Sequence, residues 1–211
     1  MANVYIKTAE GGETTSPVGT EGIPLDDGVN STWISINNIA EYIRQTLSAS
    51  TTVAGVVELA TTAETDTGTD TTRVVTPDGL AGSVFGKKTV FCLVSDSSTT
   101  PATGDGKVHF MISPELNGMN LVDADAVVTT VSSSGTPTFA VRRERSGSAV
   151  DMLSTNITID QSEKTSYTAA TAPVINTSND DVATGDIIYI DLDTIGTGAK
   201  GHGVILSFQL P

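Results

Sequence analysis

Aromatic side chains make up only 5% of this 211-residue sequence, Trp33 is its sole tryptophan, and there are two histidines, one cysteine and 11 basic residues against 25 acidic ones. Each shortage carries a consequence. A single cysteine permits no intrachain disulfide, and Cys92, inside the apolar run Val90-Phe91-Cys92-Leu93-Val94, is expected as a small buried hydrophobe. A formal charge of −14 sets most of the surface against a phosphate backbone or an anionic membrane, so no nucleic-acid partner is expected. Apolar runs stop short of membrane length, and Met1-Ala2-Asn3-Val4-Tyr5 has no basic segment leading into an apolar one. Neither membrane insertion nor a secretory leader is expected, and folding in a cytoplasm follows.

With so few aromatics, a core has to be built from Val, Ile, Leu and Ala, and the abundance of Thr, Ser, Gly and Asp suits many short strands joined by turns. Texture divides the chain into three zones, residues 1–47, 48–86 and 87–211. In the first, Gly11-Gly12-Glu13-Thr14-Thr15-Ser16-Pro17 interrupts regular structure, and Leu25-Asp26-Asp27-Gly28 signals a turn before a strand at Thr32-Trp33-Ile34. Ile36, Ile39, Ala40, Ile43 and Leu47 then recur at helical spacing, giving one apolar stripe that a helix of this length must dock to be stable.

The second zone, Ser48 to Gly86, alternates short fragments. Thr61 and Glu64 have capping-box spacing, and Thr76-Pro77 places a cap before a proline suited to the first helical position. Such fragments enclose no core of their own, and several chains wound together would supply one. The third zone offers strands at 89–94, 108–112, 121–131, 138–143, 156–159, 187–192 and 204–209. They are separated by turn chemistry such as Thr103-Gly104-Asp105-Gly106, Gly196-Thr197-Gly198 and Gly201-His202-Gly203. No helix-length segment interrupts them, which predicts an antiparallel β-sandwich.

Chemistry is sparse. His109 alternates with Val108 and Phe110 as a polar-face strand residue would, His202 falls in a turn-rich stretch, and neither is expected to serve as a catalytic base or a metal ligand. Acidic pairs at Asp180, Asp181, Asp186, Asp191 and Asp193 could attack a glycosidic bond, but the chain lacks aromatic platforms for sugar rings. Their spacing matches no calcium loop either. No enzyme activity, cofactor or metal is expected. Arg142, Arg143 and Arg145 form the one basic cluster, read either as a solvated strand end or as a contact with a partner or sister subunit.

From Gly55 the sequence runs Gly-Val-Val-Glu-Leu-Ala, then Thr-Asp-Thr-Thr-Arg, then Thr-Pro-Asp-Gly-Leu to Leu80. In that order of motifs, over roughly an eighth of the chain, it resembles the stem of tailed-bacteriophage fibre and spike proteins. Gly19-Thr20-Glu21-Gly22-Ile23-Pro24-Leu25-Asp26 and the helix after it resemble a fibre's attachment arm. Leu116-Asn117-Gly118-Met119-Asn120-Leu121 and Asp180 to Asp186 are similar to terminal knobs of fibre, head-fibre and decoration proteins.

The resemblance implies a homotrimer on the virion surface, assembled in the host bacterial cytoplasm. Its mainly β fold would comprise an arm with a short helix (1–47), a trimerising stem (48–86) and a jelly-roll-like antiparallel knob (87–211). Trp33, Ile36, Ile39, Ile43 and Leu47 would attach it to capsid, collar or tail proteins. Val56, Val57, Leu59, Val74, Val75 and Leu80 would be buried between chains. One stem segment joins anchor directly to knob, which favours a short head fibre or decoration protein over a tail or collar fibre that binds a host-surface glycan or protein. A polysaccharide-degrading spike is the third alternative.

Overall fold

The computed structural model describes residues 55–211 continuously. Before them it describes the strands Gly22–Asp26 and Ser31–Ser35 as backbone, together with residues 37, 39, 40 and 49–51. The chain separates into two compact units, one comprising residues 1–59 and 71–74, the other residues 60–70 and 75–211.

In the first unit, β1 (Gly22–Asp26) and β2 (Ser31–Ser35) pair antiparallel, with Pro24 opposite Trp33. The proline lacks an N–H to give to the ladder, and a two-stranded hairpin, which is all edge, tolerates that. Farther along, Leu59 and Val74 form a parallel bridge, Val74 N–H donates to the Glu58 carbonyl at 3.0 Å, and Arg73 lies 3.3 Å from the Glu58 carboxylate.

The second unit is mainly β. Its two short helices are α1 (Thr62–Thr67) and α2 (Pro77–Ala81), followed by a 3₁₀ turn at Val84–Gly86. Ten strands follow: β3 (Lys88–Leu93), β4 (Gly104–Met111), β5 (Asn120–Thr130), β6 (Thr138–Arg145), β7 (Ser148–Asp151), β8 (Leu153–Thr155), β9 (Ile157–Thr158), β10 (Val174–Ile175), β11 (Ile187–Thr194) and β12 (Lys200–Gln209). One antiparallel sheet has the order β4-β11-β6-β7, with β9 beside β6, a second has the order β3-β12-β5, and β8 and β10 pair as a separate two-stranded ribbon. The last strand therefore lies in the middle of its sheet, between β3 and β5.

Alternation explains the core. Phe139 and Val141 on β6, Ile188, Ile190 and Leu192 on β11, and Val204, Leu206 and Phe208 on β12 are buried at every second position, and they join Leu121, Ala124, Ala126 and Val128 of β5 in one apolar cluster drawn from both sheets. On β5 the period slips, because Leu121 and Ala124 are both buried although three residues apart. The register against β12 shifts between Ser207 and Phe208, and that irregularity resets which side chains face inward.

All seven expected strands are present. Three more, β7, β8 and β10, were not anticipated; they have two to four residues each, too short for a period-two pattern to register. The turn expected at Gly201-His202-Gly203 is instead the start of β12. There the glycines mark close approach: a Cβ on Gly203 would sit 2.6 Å from the Phe91 ring, and one on Gly201, at φ +64°, 2.1 Å from Thr129 Oγ1. Gly104 to Gly106, also expected as a turn, opens β4, with the Gly106 N–H donating to Asp191 Oδ1 at 2.6 Å.

Candidate assembly surface

The stretch from Val56 to Gly86 is built by local capping. Thr61 closes a capping box on α1: Glu64 N–H donates to Thr61 Oγ1 at 3.3 Å, and Thr61 N–H donates to Glu64 Oε2 at 2.9 Å. Gly68, left-handed at φ 65°, ends the helix. Thr76 caps α2 by accepting from Gly79 N–H at 3.0 Å, with Pro77 in the first turn.

Side-chain bonds then fasten α1, α2 and the 3₁₀ turn to one another and to β12. Val84 N–H donates to Asp66 Oδ1 at 2.7 Å, and the Gln209 amide donates to the Ala81 carbonyl at 2.9 Å and the Ser83 carbonyl at 2.8 Å. Ser83 is wholly buried, donating to the Leu80 carbonyl and accepting from Phe85 N–H. Sequence reasoning missed both Ser83 and Gln209, since no local pattern links residues more than a hundred positions apart.

What this arrangement leaves outside is apolar. The six expected stem residues Val56, Val57, Leu59, Val74, Val75 and Leu80 are all exposed, and Val84 and Phe85 join them, Phe85 at 64%. Among the described residues, eight of the fifteen large exposed hydrophobics fall between Val56 and Phe85. Meanwhile Thr65, Gly79 and Ser83 are buried. Among the described residues the usual distribution is inverted in each unit's share of this stretch, which leaves apolar side chains available for contact.

Of the expected attachment residues, Ile36, Ile43 and Leu47 lie outside the described residues. Trp33 is described only as backbone in β2, and Ile39 is helical and half-buried.

The basic cluster is engaged within the chain. Arg142 grips Asp191 with two bonds, of 2.5 and 2.9 Å. Arg145 grips Asp186 with two more, of 2.8 and 2.7 Å, and donates to Asp181 at 2.8 Å. Arg143, almost buried, donates to the Asp181 carboxylate at 2.5 Å and to its backbone carbonyl. These charge-assisted bonds hold the Asp181 and Asp186 carboxyls below the usual carboxylate range, through Arg143 first for Asp181 and Arg145 first for Asp186. The cluster thus fastens the loop before β11 to β6.

His109 is exposed on β4 with its ring 5.8 Å from that of Tyr189. His202, expected in a turn, is completely buried in β12. Among the described residues no group of three or more His, Cys, Asp or Glu side chains converges as a metal site, and no helix is long and apolar enough to cross a membrane. Compared with family models, curated proteins and solved structures, the chain finds no match.

Proposed function

We propose that this chain is a non-enzymatic structural protein of a tailed-bacteriophage particle, a short homotrimeric fibre on the virion surface. Its N-terminal region would anchor it to the particle, and its two antiparallel sheets would form a projecting β-sandwich knob. A capsid head fibre or decoration protein fits best. The order of motifs from Gly55 to Leu80 supports the phage assignment. One structural observation carries the assembly: Leu80, Val84 and Phe85 are exposed on a segment whose polar Ser83 and Thr65 are buried. Sister chains would cover that surface, and threefold attachment would make weak anchor contacts durable.

Two measurements test this reading. Light scattering on the purified full chain should return a trimer, and a monomer that unfolds cooperatively overturns it. Quantitative gels of purified virions should find many copies per particle; few copies together with lost adsorption in their absence would move the fibre to the tail or collar.

A further inference from the structure

His202 occupies a sealed and uncharged position. Its backbone carbonyl accepts from Val94 N–H at 2.8 Å and Ser95 N–H at 3.0 Å, and its own N–H donates to Ser95 Oγ at 3.0 Å. Ser95 Oγ also lies 2.9 Å from Nδ1. One lone pair of that oxygen accepts from the backbone, and its proton is available for Nδ1 when the ring carries none there. In that arrangement Nδ1 accepts and the neutral ring carries its hydrogen on Nε2. Nε2 is buried and makes no hydrogen bond of good geometry, the Ile195 backbone being the other polar group acting on the ring, and the Phe139 ring lies 5.9 Å away.

No charge nearby could balance an imidazolium. On the segment after β3, Asp96 spends its carboxylate on Ser98 and Thr99, which holds it down at about 2. On β12, Lys200 Nζ donates to the Ser98 carbonyl. On β3, Cys92 is a buried thiol pushed up by burial, hence neutral. On β5, Asp125 is engaged by Ser166. Arg143, which β6 also buries, is held by Asp181 four residues beyond Phe139. Burial pushes the His202 imidazole below its ordinary value, opposed only by the Ile195 backbone.

We propose that His202 is an acid-sensitive latch: taking up a proton at Nδ1 ends its acceptance from Ser95, places an unpaired cation in the core, and frees residues 94–96 from residues 200–203. The sign follows from linkage. The unfolded imidazole binds its proton near pH 6.5 and the folded one only at lower pH, so the contribution is complete above about 6.5 and is lost as pH falls toward the folded value. Asp181 and Asp186 act in a separate window, below the ordinary carboxylate value of 3.8. The inference does not depend on the fibre reading.

The test uses the full chain at one fixed concentration, with its two histidines compared. Urea stability is followed from pH 8 to 4.5 for the wild type, His202→Gln and His109→Gln. Hydrogen-exchange protection is followed at the Val94, Ser95 and Gly201 amides. Wild type and H109Q should lose stability below pH 6.5, with protection at those amides falling by up to roughly tenfold per pH unit, while H202Q should show no such loss, since the burial-raised Asp125 and Asp193 change stability in the opposite sense as pH falls. The same loss in H202Q, or none in the wild type, overturns the latch. Should H202Q fail to fold, NMR titration of the wild-type rings decides. The His202 signal must titrate below the ordinary histidine value and in step with lost amide protection at Val94 and Ser95; titration at the ordinary value, or out of step, overturns it.

Discussion

Two glycines at the start of β12 differ in what surrounds them, and their replacements should differ in cost. At Gly201 a Cβ meets the Thr129 side chain at 2.1 to 2.9 Å, and φ is +64°. Alanine there must strain the backbone and displace the Thr129 side chain, whose hydroxyl donates to the Lys200 carbonyl at 3.0 Å, at roughly 2 kcal/mol or more. At Gly203 the obstacle is the Phe91 ring, which is 57% exposed and can swing outward, so alanine should cost about 1 kcal/mol or less. Urea denaturation of Gly201→Ala and Gly203→Ala should rank them in that order. Arg145→Met should be costlier than an ordinary surface change, at roughly 1–3 kcal/mol, because it strands the buried Asp186 carboxylate with Ala183 N–H as its remaining bond. Its loss of stability should shrink below pH 3.8, where Asp186, no longer held low by Arg145, takes up a proton in both states. That ion pair was not legible in the sequence: three arginines and five aspartates were visible, but which carboxylate each guanidinium meets is fixed by β6 lying beside β11.

At the scale of elements, what was legible tracks how local the determining interactions are. Both helix caps could be read, because Thr61–Glu64 and Thr76-Pro77 act within one turn. The long strands could be read from alternation. The beginning of β12 could not, since Gly201 and Gly203 were read as turn residues when their lack of a side chain answers Thr129 and Phe91 on neighbouring strands. Nor could the fastening of α2 to β12 by Gln209. Gln209→Leu should remove both bonds to Ala81 and Ser83 and loosen the segment from Thr76 to Gly86 without unfolding the sheets, since its side chain is spent on that segment and not on the apolar cluster. Limited proteolysis or amide exchange should find faster opening between Thr76 and Gly86, with the thermal midpoint of the body lowered little. Equal acceleration throughout both sheets would show that the helical segment and the body open together.

For the whole molecule, composition set the class, and the exposed side chains between Val56 and Phe85 are those the proposed trimer would cover. A chain with 5% aromatics still closes an apolar core from both sheets, whereas the stretch from Val56 to Phe85 keeps its valines, leucines and Phe85 outside. If sister chains cover that stretch, stability is inseparable from chain concentration. The thermal midpoint of the wild type should then rise with concentration, and the double variant Leu80→Asp, Phe85→Asp should abolish that dependence and sediment as a monomer. Both positions are at least 48% exposed in the single chain, so charge there costs little to a monomer and much to an interface between chains that already carry −14 each. A double variant that remains trimeric would place the interface elsewhere on the chain, and a wild type whose midpoint ignores concentration would leave these side chains facing water.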